Sequence, residues 1–226
     1  QYTYGMHVYD KGASVAPNMR WYLGDSLFRK GLHYVMETYQ FKNLNSPAFR
    51  DALTYSTGVD MTVFFDDWVF RGGYPHFNIE AHKIRPKGTN YEARICIKQV
   101  LVGRDIYYKN VPLALTCYDA NWQKHQVRIV VSDENDTITV DLPFQPTTMI
   151  LNEGHQLTQA RYDCTLNVKS TGMLPIEMEE LELYNFNIES IQDSALLHLE
   201  HHPVAPSLNQ QLEDGQQLST QHYWSI

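Results

Sequence analysis

Apolar residues recur every three or four positions through residues 11–70 and every second position after Pro75. In the first stretch Phe28, Leu32, Val35, Met36 and Tyr39 make one helical face. Gly24-Asp25 just before it gives a stop for one helix and an N-cap for the next. Ser46-Pro47 starts another, with Pro at the first helical position, and opens a face of Phe49, Ala52, Leu53 and Ser56 that Gly58 closes. Asp60 is set to cap a fourth helix with Phe64, Phe65, Trp68 and Val69 inward, ended by Gly72-Gly73-Tyr74-Pro75. Pro17 falls within the first helical pattern, so that helix either starts late or kinks.

Beyond Pro75 the inward positions are Phe77, Ile79 and Ala81; Ala93, Ile95 and Ile97; Val111, Leu113, Leu115 and Cys117; Val127, Ile129 and Val131; and Ile138, Val140 and Leu142. Tyr162, Cys164, Leu166 and Val168 read as one more strand. Turn-rich stretches separate the segments, the pattern of an antiparallel β-sandwich. Ile176 and Met178, then Leu181 and Leu183, read as one strand with a bulge at Glu179-Glu180. Tyr223-Trp224-Ser225-Ile226 starts a strand at the chain end. The class is α+β: a helical segment followed by a β-sandwich. The domain expectation is 1–75 helical, 76–190 sandwich, and 191–226 a β-rich or irregular tail that can open a further domain.

Charge alters this picture in one place. Residues 170–226 hold nine acids and no Lys or Arg, whereas all 18 basic residues lie earlier, against 17 acids. That balance argues against nucleic acid as a partner. No apolar run approaches the ~20 residues of a membrane helix. The three cysteines, Cys96, Cys117 and Cys164, lie far apart on strand-like segments, and buried free thiols explain them better than a disulfide framework.

The most specific motifs lie early. Val8-Tyr9-Asp10-Lys11-Gly12-Ala13 is followed by Arg20-Trp21-Tyr22-Leu23-Gly24-Asp25-Ser26-Leu27-Phe28, then Phe64-Phe65-Asp66-Asp67-Trp68-Val69-Phe70 and Gly73-Tyr74-Pro75. This ordered set resembles the M1 family of zinc aminopeptidases, in the stretch that follows its zinc-binding helices. The resemblance covers residues 4–80 by motif and 76–150 by architecture. It implies that residues 1–75 end a thermolysin-like catalytic domain. It also implies zinc as cofactor of the intact parent, peptides as substrates, and Tyr9 as the catalytic residue that hydrogen-bonds the oxyanion. A phenol, with its pKa near ~10, stays protonated and can donate at neutral pH. Tyr4 reads as a packing residue, and Gly12 as a place for close backbone approach.

The family's zinc site needs HExxH, two histidines on one helical face around a glutamate. No HExxH occurs in the 226 residues. The expectation is therefore a fragment whose catalytic zinc domain lies upstream, inactive by itself, with no zinc ligand and no substrate-binding residue assigned here. The alternative is a noncatalytic scaffold or interaction member of the same fold. His198-Leu199-Glu200-His201-His202 is the densest metal-like run, but before Pro203 it reads as a surface strand end. His7 and His82 read as ordinary surface or packing residues, and His76 as sitting at the interdomain seam. Asp66 and Asp67 point about 100° apart on a helix, which suits a solvated surface or domain-junction contacts better than a shared proton. The sequence assigns no compartment.

Overall fold

The computed structural model describes residues 11–158, 163–178, 181–202 and 223–225. Helix α1 runs Lys11–Tyr39 and α2 Ser46–Thr57; the short α3, Thr62–Phe64, continues into a π-helical turn, Phe65–Phe70. Six strands follow: β1 Tyr74–Lys87, β2 Asn90–Val102, β3 Val111–Tyr118, β4 Lys124–Val131, β5 Asn135–Leu142 and β6 Thr148–Leu151. Then come β7 Asp163–Val168, β8 Gly172–Met178, β9 Leu181–Ile188, β10 Ala195–His202 and β11 Tyr223–Ser225. The chain is α+β, helices first and antiparallel sheets after, and it divides into two compact units between Gln159 and Ala160.

Local chemistry explains the helix ends. Gly24 breaks α1 with φ 75° and ψ 160°, a conformation only glycine adopts cheaply. Asp25 does not cap the segment after the break as its position suggested. Its carboxylate instead takes two bonds from Arg20, 2.6 and 2.9 Å, across the break. Pro17 sits inside α1 on an exposed position. The cap of α2 lies one residue earlier than Ser46: the Asn45 side chain accepts from the Ala48 amide at 2.9 Å. Gly58 closes α2 in the left-handed region, donating to Thr54 O. Asp60 accepts from the Thr62 amide, and the wider π turn that follows buries Phe65, Asp67 and Trp68 together.

In the first unit the strands form two three-stranded antiparallel sheets, β1-β2-β5 and β4-β3-β6. Their inward residues and those of the helices belong to one core, from Leu53, Phe65 and Trp68 to Ile95, Leu113, Leu115 and Leu142. Ala81 is not part of it. The register slips between Ile79 and Ala81, and this bulge turns Ala81 to the exposed face. Strand β3 is buried from Val111 through Cys117, so both its faces are covered and simple alternation does not hold there. Pro112 is tolerated in this central strand because β6 pairs only with Leu115–Tyr118. Beyond the end of β6, the Trp21 indole of α1 donates to Pro112 O at 2.8 Å. Cys117 is buried and Cys96 half-buried; both are free thiols, and burial pushes the Cys117 pKa up to about 11.

The second unit contains the sheet β11-β10-β7 and the hairpin β8-β9. The hairpin corrects the single bulged strand expected at 176–183: Met178 pairs with Leu181, so the chain reverses there, and the bulge falls between Ile176 and Met178. The terminal strand exists, with Ser225 opposite Glu200. A small apolar cluster gathers Leu166, Leu174, Phe186 and Leu197 around Leu199.

Candidate functional site

Tyr9, Tyr4 and His7 lie outside the described residues. The motif enters the structure at Lys11, the first residue of α1. Its ammonium donates to Val69 O at 3.1 Å and Arg71 O at 2.9 Å, carbonyls at the C-terminal end of the π turn. Carbonyls left open at a helix end carry partial negative charge and favour a cation. Partial burial lowers the lysine pKa. Lys11 thus ties the Tyr-x-Lys-Gly motif to the Phe-Phe-Asp-Asp-Trp-Val motif, two segments some sixty residues apart. At Gly12, among the described residues, nothing lies within 4 Å of a Cβ built there.

Beside Lys11 opens a cleft of about 880 Å³. Val15, Met19, Phe28, Leu32, Phe49 and Trp68 make it mostly apolar, and the backbone of Gly72–Tyr74 closes one side. Asn18 lines it while fully buried. Its Oδ1 accepts from the Thr158 amide at 2.7 Å, and its Nδ2 has no hydrogen-bond partner among the described residues.

Behind the cleft lies a buried polar junction. Asp67 Oδ1 pairs with Arg104 Nη2 at 2.9 Å, both side chains 5% exposed. Asp67 Oδ2 accepts from the Lys109 amide at 3.0 Å, and Arg104 Nη1 also reaches Asp67 O at 3.2 Å. The Arg104 guanidinium stacks 3.8 Å above the Tyr108 ring. Tyr108 in turn donates to Gly73 O at 2.8 Å and exchanges bonds with the Gln99 amide. Trp68 donates to the Tyr22 hydroxyl at 3.0 Å, and burial raises the Tyr22 pKa far above the usual phenol value, so it stays protonated.

The sequence left the Asp66-Asp67 pair between a solvated surface and junction contacts, and Asp67 makes buried contacts with Arg104 and the Lys109 amide. Sequence reasoning missed Arg104, Tyr108 and Gln99. The sequence signal for Arg104 and Tyr108 is a basic and aromatic loop, Arg104–Lys109, between two strands; Gln99, within β2, carries none. His76 is buried near the start of β1. His198 lies on β10, away from the Lys11 motif in sequence and in the second unit. Among the described residues no group of three His, Cys, Asp or Glu side chains could hold a metal ion. No helix among them is long and apolar enough to cross a membrane.

Comparisons with known proteins agree with the motif. Residues 1–68 match the family model described as the Peptidase family M1 domain. The protein named "Probable aminopeptidase 2" from Sulfurisphaera tokodaii is 30% identical over 134 residues, covering 58% of this chain and 16% of that protein. Aminopeptidase N of Lactococcus lactis is 36% identical over 73 residues, covering 32% of this chain and 9% of that protein. The chain thus spans about a sixth or less of these relatives' length. The crystal structure of Legionella pneumophila aminopeptidase A in complex with aspartic acid superposes with a TM-score of 0.54 at 18% identity, over 66% of this chain and 17% of that one; it supports the fold. The chain is thus similar to M1 aminopeptidases, the family match being carried by residues 1–68.

Proposed function

We propose that this chain is the part of a zinc-dependent M1 aminopeptidase that follows the zinc helices, ending a thermolysin-like domain and carrying the sandwich behind it. The observation that carries this reading is the family match over residues 1–68, which includes the Tyr-x-Lys-Gly motif. In the whole enzyme zinc would supply Lewis-acid chemistry for removing the N-terminal residue of a peptide. The described residues offer no ligand set for it, so no part of the metal chemistry is assigned to them. The chain's own contribution is Tyr9, a neutral phenol that donates a hydrogen bond to the oxyanion of the attacked carbonyl. Lys11, two residues on, fixes the start of α1 by holding Val69 O and Arg71 O. The apolar cleft beside it is a face for the rest of the catalytic domain.

The test compares this chain with a longer protein that contains it and an HExxH segment. Zinc content after dialysis and hydrolysis of aminoacyl reporter substrates are measured for both. The chain alone should show neither, and the longer protein both. In the longer protein Tyr9→Phe should leave zinc content unchanged and lower kcat by about 10²–10³-fold, the usual effect of losing one oxyanion donor. Stoichiometric zinc with turnover in the chain alone would defeat the fragment reading. A longer protein without zinc or turnover would favour the scaffold reading, and a Tyr9→Phe enzyme with normal kcat would remove Tyr9 from the site.

A further inference from the structure

Sheet β1-β2-β5 has a dry face and a wet one. Ala93, Ile95 and Ile97 are buried on the dry side. On the wet side Lys83, Arg94 and Thr139 stand opposite one another in one row across the three strands. Arg85, Glu92 and Asp141 form the next row, and Ala81, Cys96 and Thr137 the row before. Two like charges directly opposite, as Lys83 and Arg94 are, repel unless a counter-charge lies between them. The nearby carboxylates are taken elsewhere. Lys87 Nζ contacts both oxygens of Asp141, at 2.7 and 3.0 Å, and lies 3.6 Å from Glu92. That pairing raises the Lys87 pKa, mainly through its hydrogen bond with Asp141. Lys83, Arg85 and Arg94 make no hydrogen bond or ion pair among the described residues. Lys83, Arg85, Glu92, Arg94, Thr137 and Thr139 line a shallow pocket of about 510 Å³.

We propose that this pocket binds a phosphate-type oxyanion. Its converging groups can nearly all donate: one ammonium, two guanidinium groups and two hydroxyls, with Glu92 the one carboxylate of the lining and already engaged by Lys87. A guanidinium offers paired N–H groups in the fork that phosphate oxygens fit, and an ammonium acts as a point charge on the same anion. A single carboxylate brings one negative charge. A phosphate ester or diphosphate brings about two at neutral pH, enough to answer Lys83 and Arg94 together. The role of Lys87 is indirect: it keeps Glu92 and Asp141 from filling the site. The inference goes beyond the peptidase reading and does not depend on it.

Titration calorimetry of the 226-residue chain with pyrophosphate and with inorganic phosphate, at ionic strength fixed with sodium chloride, tests the site. Saturable one-site binding is expected, tighter for pyrophosphate. Lys83→Gln and Arg94→Gln should each weaken it by about tenfold or more. Lys87→Gln should weaken it as well, because the freed carboxylates then compete. Lys109→Gln removes the same charge from a lysine paired elsewhere, with Asp133, and should change binding less than about twofold. Equal losses in all four variants would mark a diffuse field rather than a site and overturn the proposal. So would absence of saturable binding, or binding of a tetraglutamate peptide as tight as that of pyrophosphate.

Discussion

The helices and the sheets of the first unit share one core but fill it differently. In the sheets Ala93, Ile95, Val111, Leu113, Leu115, Cys117 and Leu142 are 0% exposed, whereas among the described apolar residues of the helices only Leu53 reaches that level. Met36 is 73%, Tyr55 77% and Phe41 103% exposed, and the apolar cleft beside Lys11 opens among α1, α2 and the π turn. A sheet closed over a common core buries one face of each strand by alternation, and the central β3 is covered on both. A helix needs a partner for every side of its apolar stripe. Among the described residues, the segment that carries the family motifs is thus the one whose packing is less complete. This fits the proposed role of the helices as one side of a larger catalytic domain.

The sharpest way to break the comparison is at its junction. Asp67→Ala removes the carboxylate that pairs with Arg104 and accepts from the Lys109 amide. A guanidinium 5% exposed is then left without its counter-charge, and stripping one partner from a buried pair costs about 3–5 kcal/mol. Urea unfolding should show that loss, with the helices becoming protease-sensitive before the sheets. Replacing both partners, as in Asp67→Leu with Arg104→Met, should recover much of it, since an apolar pair of similar size carries no stranded charge. A double variant as unstable as Asp67→Ala would mean that the pair matters for its shape, not its charge.

Two core truncations test the difference in packing itself. Leu115 is fully buried in β3, and Leu115→Ala should cost about 2–5 kcal/mol. Leu32 lines the open cleft and is only half-buried, so Leu32→Ala should cost about 1 kcal/mol or less in this chain. Equal costs would mean the helical core is as closed as that of the sheets. Between the two regions, Gly73 holds φ at 77°, and a Cβ there would meet Val102 O at 2.5 Å. Gly73→Ala combines a left-handed backbone with a backbone clash and should cost about 1–3 kcal/mol, whereas Gly12→Ala meets open space and should be nearly neutral. Thermal unfolding of the pair distinguishes a glycine required by geometry from one that is not.

Much of this architecture was legible in the sequence because its signals are local. The glycines at 24 and 58, the period change at Pro75 and the alternation at 93–97 each act within a few residues. What was not legible needs a distant partner. The double-sided burial of β3 depends on elements placed on both its faces, so Pro112, Ala114 and Thr116 gave no hint of it. The pairing of Met178 with Leu181 looked like a phase slip, because a hairpin and a bulge shift the pattern alike. Lys11 was visible as part of a motif, but its bonds to Val69 O and Arg71 O were not. The Arg104 to Asp67 pair spans 37 residues and carries no pattern that a single chain displays.

The smallest expected effect is one of pH, and it acts on the sheets. Glu153 follows β6 and accepts from Tyr118 at the end of β3 and from Lys124, 2.7 Å away, at the start of β4. Burial alone would raise its pKa. Hydrogen bonds from Lys124, Tyr118 and Thr116 outweigh that and hold the carboxyl below its ordinary 4.5. A carboxyl depressed in the folded state binds protons more weakly there than in the unfolded chain. Its contribution is therefore fully present above about pH 4.5 and is lost as the pH falls through the lower folded value. Lys124 is half exposed, so solvent screens the pair, and the amount at stake is about 1 kcal/mol. Glu153→Gln should remove that acid-dependent share, flattening the stability profile below pH 4.5 relative to the unmodified chain. In the unmodified chain, amide protection at the β3–β4 hairpin should fall as the pH drops below 4.5 while α2 is unaffected, and Glu153→Gln should show no such acid-dependent fall. If the profile keeps its slope in Glu153→Gln, the acid response belongs to other carboxylates, with Asp25 and Asp60 on the helical side the next to examine, since both are also held low by hydrogen bonds.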